Sequence, residues 1–453
     1  MKRSKRPTAL LLVAACIALV DCNSSTTTSS TVFPTAIAVR QYTSTGSLDT
    51  GNFGAGTGAV ITDFEPGLND YALANKLQGT NILVAGSVGK TLPNGTPQAQ
   101  AALLRYTSTG ALDNTFGTSG AVRTPIGNAN AEAVAIDIQA DGNIVVAATI
   151  LSSTFSSVGI ALLRYNGTSG LLDTSFGGGI VTASIGTSAD TAAAAVLVQA
   201  DQKIVVAGHA QMVSGRTDIV LLRYNPNGTL DTTFGATQPQ PGIVITDLGS
   251  DSVALAMLLQ PDNKLVVAGS LGGGASPLDT VLVRYNIDGS LDTTGFGAPN
   301  GFVTTDAGGD DFANSVVLQP ADNKIVVAGH ANVNLMNDTS DFAVLRYTST
   351  GALDTTFGAA QTGIVITDLG AFDNAFSVAL QNDGKIVVSG NTGSAGGNVS
   401  VAIARYTAAG VLDGSFGTNG FVTSPPIGPS FITSGNSVVL QPTTGAIIAA
   451  GFD

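Results

Sequence analysis

The side chains in this chain that could do chemistry are mainly aspartates. Of its 32 acidic residues only Glu65 and Glu132 are glutamates. Between apolar segments the acids cluster as Asp63, Glu65 and Asp70; Asp247 and Asp251; Asp306, Asp310 and Asp311; and Asp368 and Asp373. Carboxylates a few residues apart on glycine-containing loops can chelate a hard cation such as calcium. None of these groups has the spacing of a dedicated calcium loop, and aspartate equally caps turns by accepting bonds from backbone amides. The expectation is no resident cofactor, with calcium as the one candidate. His209 and His330 are the only histidines, each in the string VVAGHA. With no cysteine nearby they do not make a zinc set, and they read as polar loop residues just past a strand. GxSxG, HExxH and P-loop motifs are all absent. Glycine runs such as Gly272-Gly273-Gly274 have no helix behind them to hold a phosphate. No catalytic residue can be nominated.

Composition narrows the function classes further. A net charge of −13 argues against a nucleic-acid partner, which requires a basic footprint. The chain has no Trp, and Tyr71 is the one tyrosine outside a repeat, so the aromatic platforms of a sugar-binding protein are scarce. Aspartate and glycine (56 residues) favour turns, whereas helix surfaces favour glutamate and lysine. The composition is that of an all-β protein rich in turns.

Internal repetition defines the elements that must position these groups. LLRYTSTGALDNTFG (103–117) recurs as LLRYNGTSGLLDTSFG, LLRYNPNGTLDTTFG, LVRYNIDGSLDTTGFG, VLRYTSTGALDTTFG and IARYTAAGVLDGSFG, with a degenerate copy, AVRQYTSTGSLDTGNFG, at 38–54. The repeat tyrosines are Tyr42, Tyr106, Tyr165, Tyr224, Tyr285, Tyr347 and Tyr406, spaced 59 to 64 residues apart. A second string of the type LQPDNKLVVAG and a third such as GIVITD keep step. Each unit therefore offers four short apolar strands, called A to D here: the LQ run, the VVAG run, the RY run and the IVIT run. Tight turns of the PDN or ADG type join A to B. Four antiparallel strands in about 60 residues make one propeller blade. The expected fold is all-β: a seven-bladed β-propeller of four-stranded antiparallel blades over residues 35–453. A C-type strand opens the domain and a B-type strand ends it, so ring closure should pair 35–42 with 446–451.

These strings resemble the bacterial delta-60 repeat, with its ARY-N-x-D-G-x-LD-x-x-FG and VALQPDGKIVVAG pattern. The resemblance covers nearly the whole chain after residue 34. It implies a propeller in an exported bacterial protein, and it brings no established catalytic residues.

The repeated polar side chains read as scaffold, because a ligand site seldom needs sevenfold repetition. The aspartate of each LDxxFG follows the repeat arginine by eight or nine residues across a turn. A charge-assisted bond is expected within Arg105–Asp113, Arg164–Asp173, Arg223–Asp231, Arg284–Asp292, Arg346–Asp354 and Arg405–Asp413.

Residues 1–22 combine four bases with an apolar run over 8–20, too short to cross a bilayer as a helix but suited to a signal peptide. Cys16 and Cys22 are the only cysteines and are lipidation candidates, and a Ser/Thr-rich tether follows over 23–34. Export to the cell envelope or medium is expected, with membrane contact only through such an anchor. The B–C loops vary most and emerge on the same face as the D–A crossings that carry Asp63, Asp70, Asp247, Asp251, Asp306, Asp310, Asp311, Asp368 and Asp373. Variable loops on a rigid scaffold are where binding is usually built. The expected function is a non-enzymatic, monomeric binding scaffold using this acidic face for an unknown protein or small ligand. The alternatives are a hydrolase or lyase with carboxylates at the central channel, and a calcium-dependent or glycan-binding propeller.

Overall fold

The computed structural model describes residues 34–453 except 188–189, 274–275, 335–338, 394–396 and 428–431. Residues 1–22, with Cys16 and Cys22, lie outside the described residues. Among those described, 28 strands form seven four-stranded antiparallel sheets. The chain begins with β1 (Ile37–Tyr42) and β2 (Ala59–Thr62). Blade I is β3 (Asp70–Gln78), β4 (Asn81–Thr91), β5 (Pro97–Tyr106) and β6 (Ala121–Thr124). Blade II is β7 (Asn130–Ile138), β8 (Ile144–Leu151), β9 (Ser157–Tyr165) and β10 (Ile180–Ala183). Blade III is β11 (Ala192–Val198), β12 (Ile204–Gln211), β13 (Thr217–Tyr224) and β14 (Ile243–Thr246). Blade IV is β15 (Asp251–Leu259), β16 (Leu265–Gly273), β17 (Ser276–Tyr285) and β18 (Phe302–Thr305). Blade V is β19 (Asp311–Leu318), β20 (Ile325–Asn334), β21 (Thr339–Tyr347) and β22 (Ile364–Thr367). Blade VI is β23 (Asp373–Leu380), β24 (Ile386–Gly393), β25 (Val399–Tyr406) and β26 (Phe421–Ser424). Blade VII takes its A and B strands from the end of the chain, β27 (Ser434–Leu440) and β28 (Ile447–Phe452), and its C and D strands from β1 and β2. Ile37 pairs with Phe452 and Tyr42 with Ile447, as the strand order in the sequence requires. Closure in this way leaves no sheet with an edge created by the chain ends.

The core is divided into seven apolar wedges, each between neighbouring blades. One contains Leu83, Leu103 and Phe116 from blade I with Ile144, Leu163 and Tyr165 from blade II. The repeat tyrosine spans each wedge. Except in Tyr224, its hydroxyl bonds the last residue of the preceding blade's D strand: Tyr165 with Thr124 at 2.7 Å, Tyr347 with Thr305 at 2.8 Å, and Tyr406 with Thr367 at 2.8 Å.

The repeat arginine joins blades from the opposite face. Its Nε donates to the aspartate carboxylate at 2.8 Å in Arg105–Asp113, 2.9 Å in Arg164–Asp173, 2.7 Å in Arg223–Asp231, 2.9 Å in Arg284–Asp292, 2.7 Å in Arg346–Asp354 and 2.9 Å in Arg405–Asp413. Its Nη1 reaches a turn carbonyl in the next blade, such as Ser349 at 2.6 Å from Arg284 and Ala408 at 2.6 Å from Arg346. Each of these guanidinium groups also lies 4.4 to 4.8 Å from the centroid of its FG phenylalanine. Lys203, Lys264, Lys324 and Lys385 approach the same carboxylates at 2.8 to 3.3 Å. Blade VII departs from this plan. The extra Gln41 donates to Asp49 at 2.7 Å, and Arg40 bonds Asp453 and Thr433 instead.

Candidate functional site

The A strands line the central channel, and each carries a β-bulge at the same place. The register shifts between Ala72 and Ala74, Ala133 and Ala135, Ala193 and Ala195, Ala254 and Ala256, Ala313 and Ser315, Ala375 and Ser377, and Ser434 and Ser437. A bulge leaves one residue unpaired and re-aims its side chain. The unpaired residues Leu73, Val134, Ala194, Leu255, Asn314, Phe376 and Asn436 all face one cavity of about 770 Å³. The B-strand glycine of VVAG belongs to the same device. A Cβ at Gly329 would stand 1.6 Å from the Phe312 carbonyl oxygen, and one at Gly269 1.8 Å from that of Val253. The bulge brings the A-strand carbonyl against the B strand at this point, so glycine fills it in six blades; blade II alone places an alanine, Ala148, opposite Ala133.

Polar groups are interspersed with apolar ones around this cavity, among them Asn75, Ser315, Ser377 and Ser437 along the A strands. Residues 154–156 of the β8–β9 loop, Ser157 and Val158 at the start of β9, and Asp190 of the β10–β11 crossing form its wall toward the face of the B–C loops. Glu132 on β7 also lines it, and burial pushes its carboxyl up to about 7. Burial likewise pushes Asp190 up to about 6, against a hydrogen bond from the Ser157 hydroxyl at 3.4 Å.

The histidines require a correction. They are not loop residues: His209 lies within β12 and His330 within β20, and both are buried among the residues lining this cavity. Strand B runs on past the glycine, to Gln211 in β12 and to Asn334 in β20, and the bulged A strand continues to pair with its first residues there; His330 stands opposite Phe312. The His330 ring stacks on Phe312 with centroids 4.8 Å apart. The Asn314 amide nitrogen lies 3.1 Å from His330 Nδ1 and donates to the Ala375 carbonyl at 2.7 Å, which makes Nδ1 the acceptor. Burial lowers both imidazoles to about 4, so they are neutral at pH 7.

The aspartates of the D–A crossings share the same face but not the same exposure. Asp63, Asp247, Asp306 and Asp368 are exposed; Asp251 and Asp310 are half-buried; Asp70, Asp311 and Asp373 are buried at the start of their A strands. Most of them organise the crossing. Asp70 accepts from the Phe64 and Gly89 amides at 2.9 Å each. Asp251 accepts from Thr217 N at 3.0 Å, and Asp310 from Leu278 N at 2.9 Å. Asp247 pairs with Arg216 at 2.6 Å, and Glu65 with Lys90 at 3.3 Å. The face is therefore less uniformly acidic and less free than the sequence suggests.

Glu132, Asp190 and the bulge ring were not singled out by sequence reasoning. The available signal was the small-x-small triplet in each A strand, where the middle residue alone changes chemistry from copy to copy (Leu, Val, Ala, Leu, Asn, Phe, Asn).

Five segments, 139–176, 199–234, 260–294, 321–357 and 381–416, match the family model described as "Domain of unknown function (DUF5122) beta-propeller". No curated protein matches the chain. Among solved structures, a protein of unknown function from Dyadobacter fermentans is similar at 11% identity, covering 84% of this chain and 93% of its own, with a TM-score of 0.40. An ulvan lyase of polysaccharide lyase family PL25 is similar at 11% identity, with 78% and 83% covered and a TM-score of 0.43. A GH43_1 enzyme from Xanthomonas citri is similar at 10% identity, with 58% and 88% covered and a TM-score of 0.31.

Proposed function

We propose that this propeller is an exported, non-enzymatic binding protein. It takes a small polar ligand into the central cavity from the face of the B–C loops and D–A crossings. The observation that carries this reading is the ring of seven bulge residues. The scaffold positions around the ring repeat almost unchanged, whereas these seven side chains differ and all meet one space of about 770 Å³. That volume lies within the usual range of roughly 300 to 1,000 Å³ for small-molecule sites. Apolar walls interspersed with amides, hydroxyls, carboxyls and neutral imidazoles suit recognition by shape and hydrogen bonding. The resemblance to the delta-60 repeat and the basic-then-apolar sequence of residues 1–22 support export, with Cys16 or Cys22 as the anchor point.

Thermal-shift screening with neutral oligosaccharides, amino acids and polyamines tests the reading. At least one class should raise the melting temperature, and Asn314→Leu, which replaces one amide of the ring by an apolar side chain of similar size, should remove that rise. A screen without a responder, or a response unchanged in Asn314→Leu, sinks it.

A second reading rests on Glu132. A carboxyl with a pKa of about 7 beside the same cavity as Asp190 has the character of a general acid. Release of reducing ends or unsaturated products from a polysaccharide panel, lost in Glu132→Gln, would favour a hydrolase or lyase over a binding protein.

A further inference from the structure

Two consecutive blade junctions carry the same three carboxylates. Between blades IV and V these are Asp279 on β17, Asp306 just after β18 and Asp311 at the start of β19. Between blades V and VI they are Asp341 on β21, Asp368 just after β22 and Asp373 at the start of β23. Each member of the second set lies 62 residues after its counterpart. In each triad one carboxylate oxygen from every residue lies within 4.8 Å of those of the other two, and exposure grades alike, from half-buried through exposed to buried.

Proximity of acids is not enough to make a site, because backbone amides can hold them. Here the amides account for only part of each group. Asp311 Oδ2 accepts from the Ala307 amide at 2.5 Å, yet Asp311 Oδ1 is buried without a hydrogen-bond partner. Asp373 Oδ2 accepts from the Leu369 and Gly370 amides, yet Asp373 Oδ1 is again buried without a partner, the nearby Thr392 hydroxyl donating to the Gly393 carbonyl instead. The two residues are 2% and 0% exposed, so bulk water does not satisfy these oxygens. A buried, unpaired carboxylate oxygen is costly unless something positive meets it. Among the described residues, no lysine or arginine forms an ion pair with any of the six aspartates; the ion pairs present lie elsewhere.

Two other junctions carry only part of the triad. Between blades III and IV, Asp218 and Asp247 hold the first two positions, but Ser252 stands where the buried aspartate would be, and Arg216 neutralises Asp247 at 2.6 Å. Between blades VII and I, Asp63 and Asp70 occupy the last two positions, Thr35 replaces the first, and both Asp70 oxygens are bonded to backbone amides. Asp218 Oδ1 is also buried without a hydrogen-bond partner, but at that junction Arg216 supplies the positive charge and the third carboxylate is missing; only at the IV–V and V–VI junctions does the orphaned oxygen belong to a triad of carboxylates with no cation paired to it.

We propose that these two triads are twin binding sites for a hard divalent cation, calcium by preference, each tying the C and D strands of one blade to the A strand of the next. Three carboxylates on a fixed β framework offer three to six oxygens. The exposed member leaves room for water to complete the six to eight ligands that calcium takes. A purely oxygen donor set without imidazole or thiolate disfavours zinc. The net charge of each triad, three negatives against two positives, makes the cation the missing partner of the orphaned oxygen.

The test is calcium titration of the chelator-treated full chain by calorimetry, with terbium luminescence as a second probe and magnesium as the comparison ion. Two sites per chain are expected, together with a rise in melting temperature. Asp306→Asn and Asp368→Asn change exposed residues and should leave the fold intact. Each should lower the stoichiometry from two to one, and the double variant to zero. Asp247→Asn, at the junction lacking the triad, should leave two sites. Absence of calcium binding in the unsubstituted chain, or a stoichiometry that ignores Asp306 and Asp368, overturns the proposal.

Discussion

Tyr224 buries its hydroxyl without a partner because Ala183 occupies the place where other blades supply a hydroxyl. Ala183 ends β10 as Thr124 ends β6 and Thr246 ends β14, and those threonines bond Tyr165 and Tyr285 at 2.7 and 2.8 Å. Ala183→Thr should therefore stabilise the protein by about 1 kcal/mol, the net value of a restored buried hydrogen bond. Tyr224→Phe should cost nothing or stabilise, while Tyr285→Phe should destabilise by a similar ~1 kcal/mol. Chemical denaturation of the three variants measures this. A destabilised Ala183→Thr would show that the wedge there has no room for the added atoms.

The bulge explains the VVAG glycine, and the explanation is quantitative. Gly329→Ala forces a Cβ to within 1.6 Å of a carbonyl oxygen, so the strand must move or the bulge must break. A loss of roughly 3 kcal/mol or more is expected, at the upper end for single substitutions. Gly215→Ala meets nothing within 4 Å but adopts φ +85°, so its cost should be only that of the left-handed backbone, about 1–2 kcal/mol. Equal melting temperatures for the two variants would contradict this account.

Arg346 and Asp354 are both buried and also hold Lys324 and the next blade's Ala408 carbonyl. Removing one partner of such a pair strands the other, so Arg346→Ala should cost roughly 3–5 kcal/mol. The paired change Arg346→Met with Asp354→Leu should cost less than the single change. Equilibrium unfolding of both variants distinguishes pairing from packing, since a purely steric role for Arg346 would make the paired change no better.

Stability should have an unusual acid optimum. Burial raises Glu132 to about 7 and Asp70, Asp190 and Asp218 to about 6, and these four carboxyls outweigh the opposite effect of His209 and His330, which burial lowers to about 4; over pH 4.5–7 the folded state therefore binds more protons than the unfolded state and stability falls as pH rises. In Asp354 burial opposes ionisation, but bonds from Thr356, Lys324 and Arg346 overcome it and hold the carboxyl well below the ordinary range. The Ser415 hydroxyl leads the same effect at Asp413. Their contribution is complete above about pH 4, the unfolded value, and is lost as pH falls through the depressed folded values. Melting temperature should therefore peak near pH 4–5, and Glu132→Gln should flatten the limb between pH 5 and 7. A profile that rises steadily to pH 8 in both proteins would refute the assignment.

Ring closure makes a sharper demand. Ala36 and Asp453 exchange backbone bonds at 2.9 Å, and Arg40 bonds the Asp453 side chain. Deleting 447–453 removes the B strand of blade VII, leaving β1 paired only with β2 and separating β27 from its sheet. A cooperative melt should be lost and oligomers should appear in size-exclusion chromatography as the exposed edges pair. A monomeric deletion variant with unchanged melting would mean that closure contributes little.

The architecture was legible because it is written seven times. Hairpin turns, strand length and the RY and LQ strings have a 59–64-residue period, and the strand types at the two ends imply the closing pairing. Arg105 and Asp113 could be matched from spacing alone because only one turn separates them. The functional geometry was not legible in this way. A bulge depends on how two strands share their backbone bonds, so no single strand announces that Asn314 or Phe376 will turn into the channel. His330 follows a glycine and looks like the start of a loop, but the bulged partner keeps the strand paired and buries the ring against Phe312. Asp279, Asp306 and Asp311 come from three segments of two blades. Sequence separation carries the repeat, which is local, whereas the meeting of those carboxylates is decided by how one blade packs on the next.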